Sequence, residues 1–96
     1  CVLFFMDSQE KINTLRKIID DYDDQILNLL IKRFSISKDI GDIKKANGLE
    51  IDDPIREQEI IIQLSNKLKG VLDEEDIAAI FSPIYQISKK LQTRDS

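Results

Sequence analysis

From Asp7 to Ala46 the chain contains no proline and a single glycine, Gly41. Its apolar residues fall at Ile12, Leu15, Ile19, Tyr22, Ile26, Leu29, Leu30, Ile36, Ile40 and Ile43, mostly in steps of three and four. That spacing draws one stripe down a helix and does not fit the two-residue alternation of a strand. A helix of about 38 residues is ~57 Å long at 1.5 Å per residue. Such a rod cannot fold back on itself inside a compact monomer of 96 residues. It predicts either a helix lying against a second chain or the long spine of a bundle.

The remaining chain supplies two shorter helices. Asn47-Gly48 is a stop signal, and Leu49 to Asp53 read as a connecting loop. Asp53 followed by Pro54 makes an N-cap and a first helical position. The second helix is expected over 54–69, with Ile60, Ile61, Leu64 and Leu68 on its inner face and Gly70 ending it. Asp73, with Glu74, Glu75 and Asp76 behind it, opens a third helix and complements its dipole. This helix should run to about Thr93, through Ile77, Ile80, Phe81, Ile84, Ile87 and Leu91, with a kink at Pro83. The fold class expected is all-α: three helices, long, short and medium. Residues 1–11 are read as a leader or cloning-derived segment, with a natural start at Met6, and 12–94 as the functional domain. The alternative for the opening apolar residues is an ordered arm.

Composition narrows the partners. The formal net charge is -4, against the excess of Lys and Arg that nucleic acids or anionic membranes demand. Cys1 is the lone cysteine and histidine is absent. A disulfide framework, thiolate and imidazole metal sites and His-based triads are therefore excluded. No apolar run approaches the ~20 residues of a membrane span, and the cytoplasm is the expected location. Any anion bound here must be held by a local cluster that overrides the global charge.

That cluster shows as polar residues where the pattern calls for apolar ones. The series Ile12, Ile19, Ile26 continues at Arg33 before Ile40 resumes it. Arg33 and Lys44 lie only ~20° apart around the helix and ~16 Å apart along it. Two inward-pointing cations so placed can bracket a small anion; the alternative is that both snorkel to solvent or pair with acids. Ser88 and Gln92 lie ~20° either side of the direction of Phe81 and face one point, unless they belong to a frayed polar helix end. Asp53, Arg56 and Glu57 surround the start of the second helix, as caps and surface charge or as site residues. Arg56 stands against the preference of the helix dipole, which hints at an anionic partner. Arg16 is ~25 Å along the helix from Arg33. It cannot share a small-molecule site with Arg33 of its own chain, but it can reach the site of an antiparallel partner.

The segment Leu15-Arg16-Lys17-Ile18-Ile19-Asp20, then Asp23, Ile26-Leu27-Asn28-Leu29-Leu30 and Arg33, resembles the opening helix of the AroQ-class (all-helical, type II) chorismate mutases. Ile40-Gly41-Asp42-Ile43-Lys44, Asp53-Pro54-Ile55-Arg56-Glu57, and Phe81 with Ser88 and Gln92 resemble the later blocks, in the expected order over roughly residues 12 to 93. The resemblance implies an intertwined helical homodimer with two equivalent sites, using no cofactor or metal to convert chorismate to prephenate. Arg33, and Arg16 from the other subunit, would bind the two substrate carboxylates. Lys44 and Gln92 would donate to the ether oxygen. Glu57, with the backbone near Asp53, would hold the ring hydroxyl. Arg56 and Ser88 would complete the hydrogen-bond network, and Ile40 and Tyr85 would supply apolar walls.

Three other readings stay open on sequence. An isochorismate-pyruvate lyase would use the same fold and a similar cationic pocket. A non-catalytic dimerisation module would share the fold but should have an apolar seam throughout, which Arg33, Lys44, Ser88 and Gln92 interrupt. The chain could also be the mutase domain of a larger aromatic-biosynthesis enzyme.

Overall fold

The computed structural model of the chain describes residues 7–94; the apolar opening expected as part of a leader, Cys1 to Met6, lies outside the described residues. Among these residues there are three helices and no strand: α1 (Ser8–Ala46), α2 (Pro54–Lys67) and α3 (Glu74–Arg94). The expected all-helical plan of long, short and medium elements is therefore observed, and residues 8–11, assigned to the leader, are already helical.

The ends of each helix follow from local chemistry. Asp7 caps α1: its Oδ1 accepts from the Glu10 backbone N–H at 2.8 Å. At the other end Gly48 has φ +67°. The N–H of Leu49 donates to the Lys44 carbonyl and that of Gly48 to the Lys45 carbonyl, the paired bonds of a Schellman closure. Asp53 caps α2, its Oδ1 accepting from the Arg56 N–H at 3.1 Å, with Pro54 in the first turn. Asp73 and Asp76 cap α3 reciprocally, each side chain accepting from the other's backbone N–H.

One boundary differs from the sequence expectation. α2 stops at Lys67 rather than Lys69, because the Leu68 carbonyl turns to accept from Val71 and Leu72 as the chain approaches Gly70, φ +87°. α3 includes Pro83, as expected. The proline removes the donor that would reach the Ala79 carbonyl, but both residues are exposed, so water can satisfy that carbonyl.

The chain divides into two compact units between Arg33 and Phe34. The first holds most of α1. Its stripe residues Ile12, Leu15, Ile19, Tyr22, Ile26 and Leu29 are 42% to 64% exposed. The second holds the last turns of α1 together with α2 and α3. Its core is small: Ile61, Ile77 and Tyr85 are buried, with Ile60, Leu64, Leu72, Ala78 and Phe81 packed around them. Of the residues expected on inner faces, Leu68, Ile80 and Ile87 are instead exposed. Leu68 lies beyond the end of α2, and the buried face of α3 runs through Ile77, Tyr85, Ser88 and Gln92, away from Ile80 and Ile87. No helix among the described residues is long and apolar enough to cross a membrane.

Within the second unit α1 meets α3 at a glycine. A Cβ placed on Gly41 would stand 2.6 Å from Gln92 Cγ and 2.8 Å from Gln92 Cβ. Both are closer than nonbonded carbons tolerate, so the two helices approach this near only because residue 41 has no side chain.

Candidate functional site

The last turns of α3 bury polar side chains. Ser88 is 6% and Gln92 8% exposed, so neither belongs to a frayed helix end. Gln92 lies against Gly41, and its Nε2 is 2.5 Å from Ser37 Oγ. Its Oε1 is buried and has no hydrogen-bond partner. Buried amide atoms without partners are costly. The two ends of a carboxamide are assigned from their surroundings. In the opposite orientation Ser37 Oγ–H donates to Oε1, leaving both N–H donors for a ligand. Either way one end of the amide is held by the protein and the other is left for something else.

Lys44 emerges from α1 one turn after Gly41. It is half-buried, and its Nζ donates to the Ile51 carbonyl at 3.3 Å. The next loop residue, Asp52, accepts from Lys89 Nζ at 2.6 Å, and the same ammonium lies 3.0 Å from Glu57 Oε2. Lys89 follows Ser88 directly and stands three residues before Gln92. Contacts thus run from Lys44 through Ile51 and Asp52 to Lys89 and Glu57, with Ser88 and Gln92 on the same stretch of α3. The hydrogen bonds it donates to Asp52 and then to Glu57, opposed by desolvation and reinforced by the two carboxylate charges, hold the Lys89 ammonium above the ordinary lysine pKa. Lys89 therefore stays a cation throughout the neutral range.

The other expected site residues are placed as follows. Asp53 is exposed and caps α2. Arg56 is exposed, and its guanidinium reaches Glu59 at 3.9 Å rather than the buried cluster. Ile40 is 46% exposed. Tyr85 is part of the core, its ring 5.9 Å from that of Phe81. Arg16 and Arg33 belong to the first unit, Arg16 exposed and Arg33 half-buried. Among the described residues no group of His, Cys, Asp or Glu is arranged to hold a metal ion.

Sequence reasoning missed Ser37 and Lys89. Ser37 had a signal: it lies on the stripe between Arg33 and Gly41, four residues from each, another small polar residue on a face meant to be apolar. Lys89 had none, because a lysine on a half-polar helix is the commonest of surface residues.

The second unit thus gathers two ammonium groups, Lys44 and Lys89, a buried carboxamide, Gln92, and a carboxylate, Glu57, in and beside one loop and one stretch of α3. Comparison with known proteins places the chain in a family. The family described as chorismate mutase type II matches residues 15–93. A chorismate mutase of Methanocaldococcus jannaschii is 37% identical over 84 residues, covering 86% of this chain and 85% of the relative. A bifunctional chorismate mutase/prephenate dehydratase of Aquifex aeolicus is 36% identical over 89 residues, covering 88% of this chain but 25% of the relative. No solved structure matches the chain.

Proposed function

The chain belongs to the chorismate mutase type II family, and from that premise we propose that it converts chorismate to prephenate with residues 12–94 as the catalytic domain. The reaction is a unimolecular Claisen rearrangement. The ether carbon–oxygen bond breaks as a carbon–carbon bond forms, and no proton, electron or leaving group passes to the protein. The protein has two tasks: to hold a flexible dianion in its compact reactive conformer, and to place donors where negative charge grows on the ether oxygen.

The observation that carries this reading is Gln92. Its carboxamide is buried, anchored at one end by Ser37 and unpartnered at the other. With the carboxamide turned so that Ser37 Oγ–H donates to Oε1, the Nε2 N–H groups are fixed donors in a poorly hydrated place, where they interact more strongly with developing charge than donors in water. Lys44 is the second donor to the ether oxygen. Arg33 and Arg16 bind the two carboxylates, since a planar guanidinium fork matches a carboxylate. Glu57 accepts from the ring hydroxyl beside the backbone near Asp53, with Arg56 and Ser88 completing the network and Ile40 and Tyr85 the walls.

The working assembly in this proposal is an intertwined homodimer in which Arg16 enters the partner's site. Two features support it. Nine of the ten apolar residues of the α1 stripe, all but Leu30, are exposed in the single chain, although burying one such side chain is worth ~1.5–3 kcal/mol. Arg16 and Arg33 are also too far apart along one helix to meet on a small molecule.

The test is incubation of the purified protein with chorismate, following its loss and the phenylpyruvate formed from product by acid. Prephenate formation is expected. Turnover of isochorismate to salicylate and pyruvate, with chorismate untouched, would transfer the assignment to the lyase reaction.

A further inference from the structure

We propose that Lys89 is a positioning residue for this reaction: it fixes Glu57 and offsets part of its charge while strapping the 51–53 loop to α3. The inference rests on the mutase reading above and adds a residue to it. The geometry is a single ammonium between two carboxylates from different parts of the chain, Asp52 in the loop at 2.6 Å and Glu57 in the first turn of α2 at 3.0 Å. Neither contact is a helix neighbour pair, so the bridge joins three pieces of chain at one point.

Two physical needs make that point matter. First, Glu57 is asked to accept a hydroxyl from a substrate that already carries two negative charges. An uncompensated carboxylate there would repel the dianion it is meant to orient. With Lys89 on Oε2 part of that charge is offset, the same ammonium being shared with Asp52, and the other oxygen is left to accept. Second, the loop is held from the α1 side by Lys44, whose ammonium donates to the Ile51 carbonyl. Lys44 is also the group assigned to the ether oxygen. When it turns to the substrate its hold on the loop weakens, and Lys89, one residue further along at Asp52, keeps the loop and the start of α2 in place.

The bridge contributes little to folding, because the Lys89 and Asp52 side chains are 38% and 63% exposed and such pairs are screened by water. Its effect should therefore appear in catalysis and hardly at all in stability. The experiment compares Lys89→Met, Lys89→Arg, Glu57→Gln and the double variant Lys89→Met/Glu57→Gln with the parent, measuring kcat and KM on chorismate at low and high salt. Lys89→Met should lower kcat/KM by about tenfold, mostly through KM and more at low salt. Lys89→Arg should restore it to within about threefold. In the Glu57→Gln background the same lysine change should cost clearly less than in the parent, because one of its two partners is gone and only the Asp52 strap remains to be lost. Thermal midpoints should agree within about 2 °C. Parental kcat/KM in Lys89→Met, no rescue by arginine, or an equal loss in the Glu57→Gln background would overturn the role. The unmutated protein is the control: failure to turn over chorismate sinks the mutase reading and this inference with it, whereas normal turnover beside an unaffected Lys89→Met sinks this inference alone.

Discussion

Adding one methyl group at Gly41 isolates geometry from chemistry, because it removes no donor and no charge. A Cβ there would stand 2.6 Å from Gln92 Cγ, 2.8 Å from Gln92 Cβ and 3.3 Å from Gln92 Cα. Carbon atoms in contact prefer ~3.5–4.0 Å, so the pair must separate by roughly 1 Å. A rotamer change moves Cγ but neither Cβ nor Cα, and α1 and α3 must therefore part. Overpacking of this kind costs ~1–3 kcal/mol, while alanine gains ~1 kcal/mol over glycine inside a helix. The net loss of stability is then no more than ~2 kcal/mol. Catalysis has no such offset. A displacement of ~1 Å in a donor that must meet the transition state lowers the rate by ~100-fold. Gly41→Ala should fold, retain its helical circular dichroism, and lose most of its kcat on chorismate. A kcat within about twofold of the parent would show that the Gly41–Gln92 contact does not set the position of a catalytic group.

Three further substitutions probe the other assignments. Lys44→Ala should lower kcat by ~100- to 1000-fold, the usual loss of one donor to a developing oxyanion, with helicity unchanged; parental turnover in steady-state assays would refute its role. Arg16→Ala and Arg33→Ala should each be crippled as homodimers. Mixing them under conditions of proven subunit exchange should restore part of the activity, since one of the two mixed sites then has both arginines, and no recovery would exclude a site shared between chains. Ser37→Ala removes the single hydroxyl that anchors Gln92 and should lower kcat by about five- to tenfold at unchanged KM, the worth of one hydrogen bond of ~1–1.5 kcal/mol; an effect on KM alone would place Ser37 in binding and not in orienting the amide.

The helices were legible because their ends are written in local chemistry. Asp7, Asn47-Gly48, Asp53-Pro54 and Asp73 through Asp76 each supply a cap whose partners lie within a few residues, so no tertiary knowledge is needed to read them. The buried pair Ser88 and Gln92 was legible for a related reason: a polar residue on an apolar face stands out against a 3.6-residue period. The limits of that signal show at Ile80 and Ile87, which fit the period and are exposed. Periodicity reports which residues could share a face, and the direction of the core depends on what packs against it. Lys89 marks another limit. Its two acidic partners, Asp52 and Glu57, precede it by 37 and 32 residues, and nothing in the spacing of charges announces a pairing made by the return of the chain. Arg56 was expected in the pocket because it opposes the helix dipole; its pairing with Glu59 at i+3 gives that position a local compensation which the motif alone conceals.

The demands of folding and of the proposed chemistry converge on α1. Among the described residues the buried apolar core is Ile61, Ile77 and Tyr85, while most apolar residues of the long helix's stripe are exposed. A sequence that spends so many Ile and Leu on one exposed face is at odds with solubility unless that face is covered. Covering it with an antiparallel second copy buries the stripe and, by the same register, carries Arg16 toward a site that its own chain cannot reach. The polar interruptions then take on a single sense. In the proposed dimer Arg33, Ser37 and Lys44 would interrupt an otherwise apolar face, each a poor choice for packing, and their cost to assembly would be tolerable because Ser37 holds the Gln92 amide and the two cations would hold the dianion.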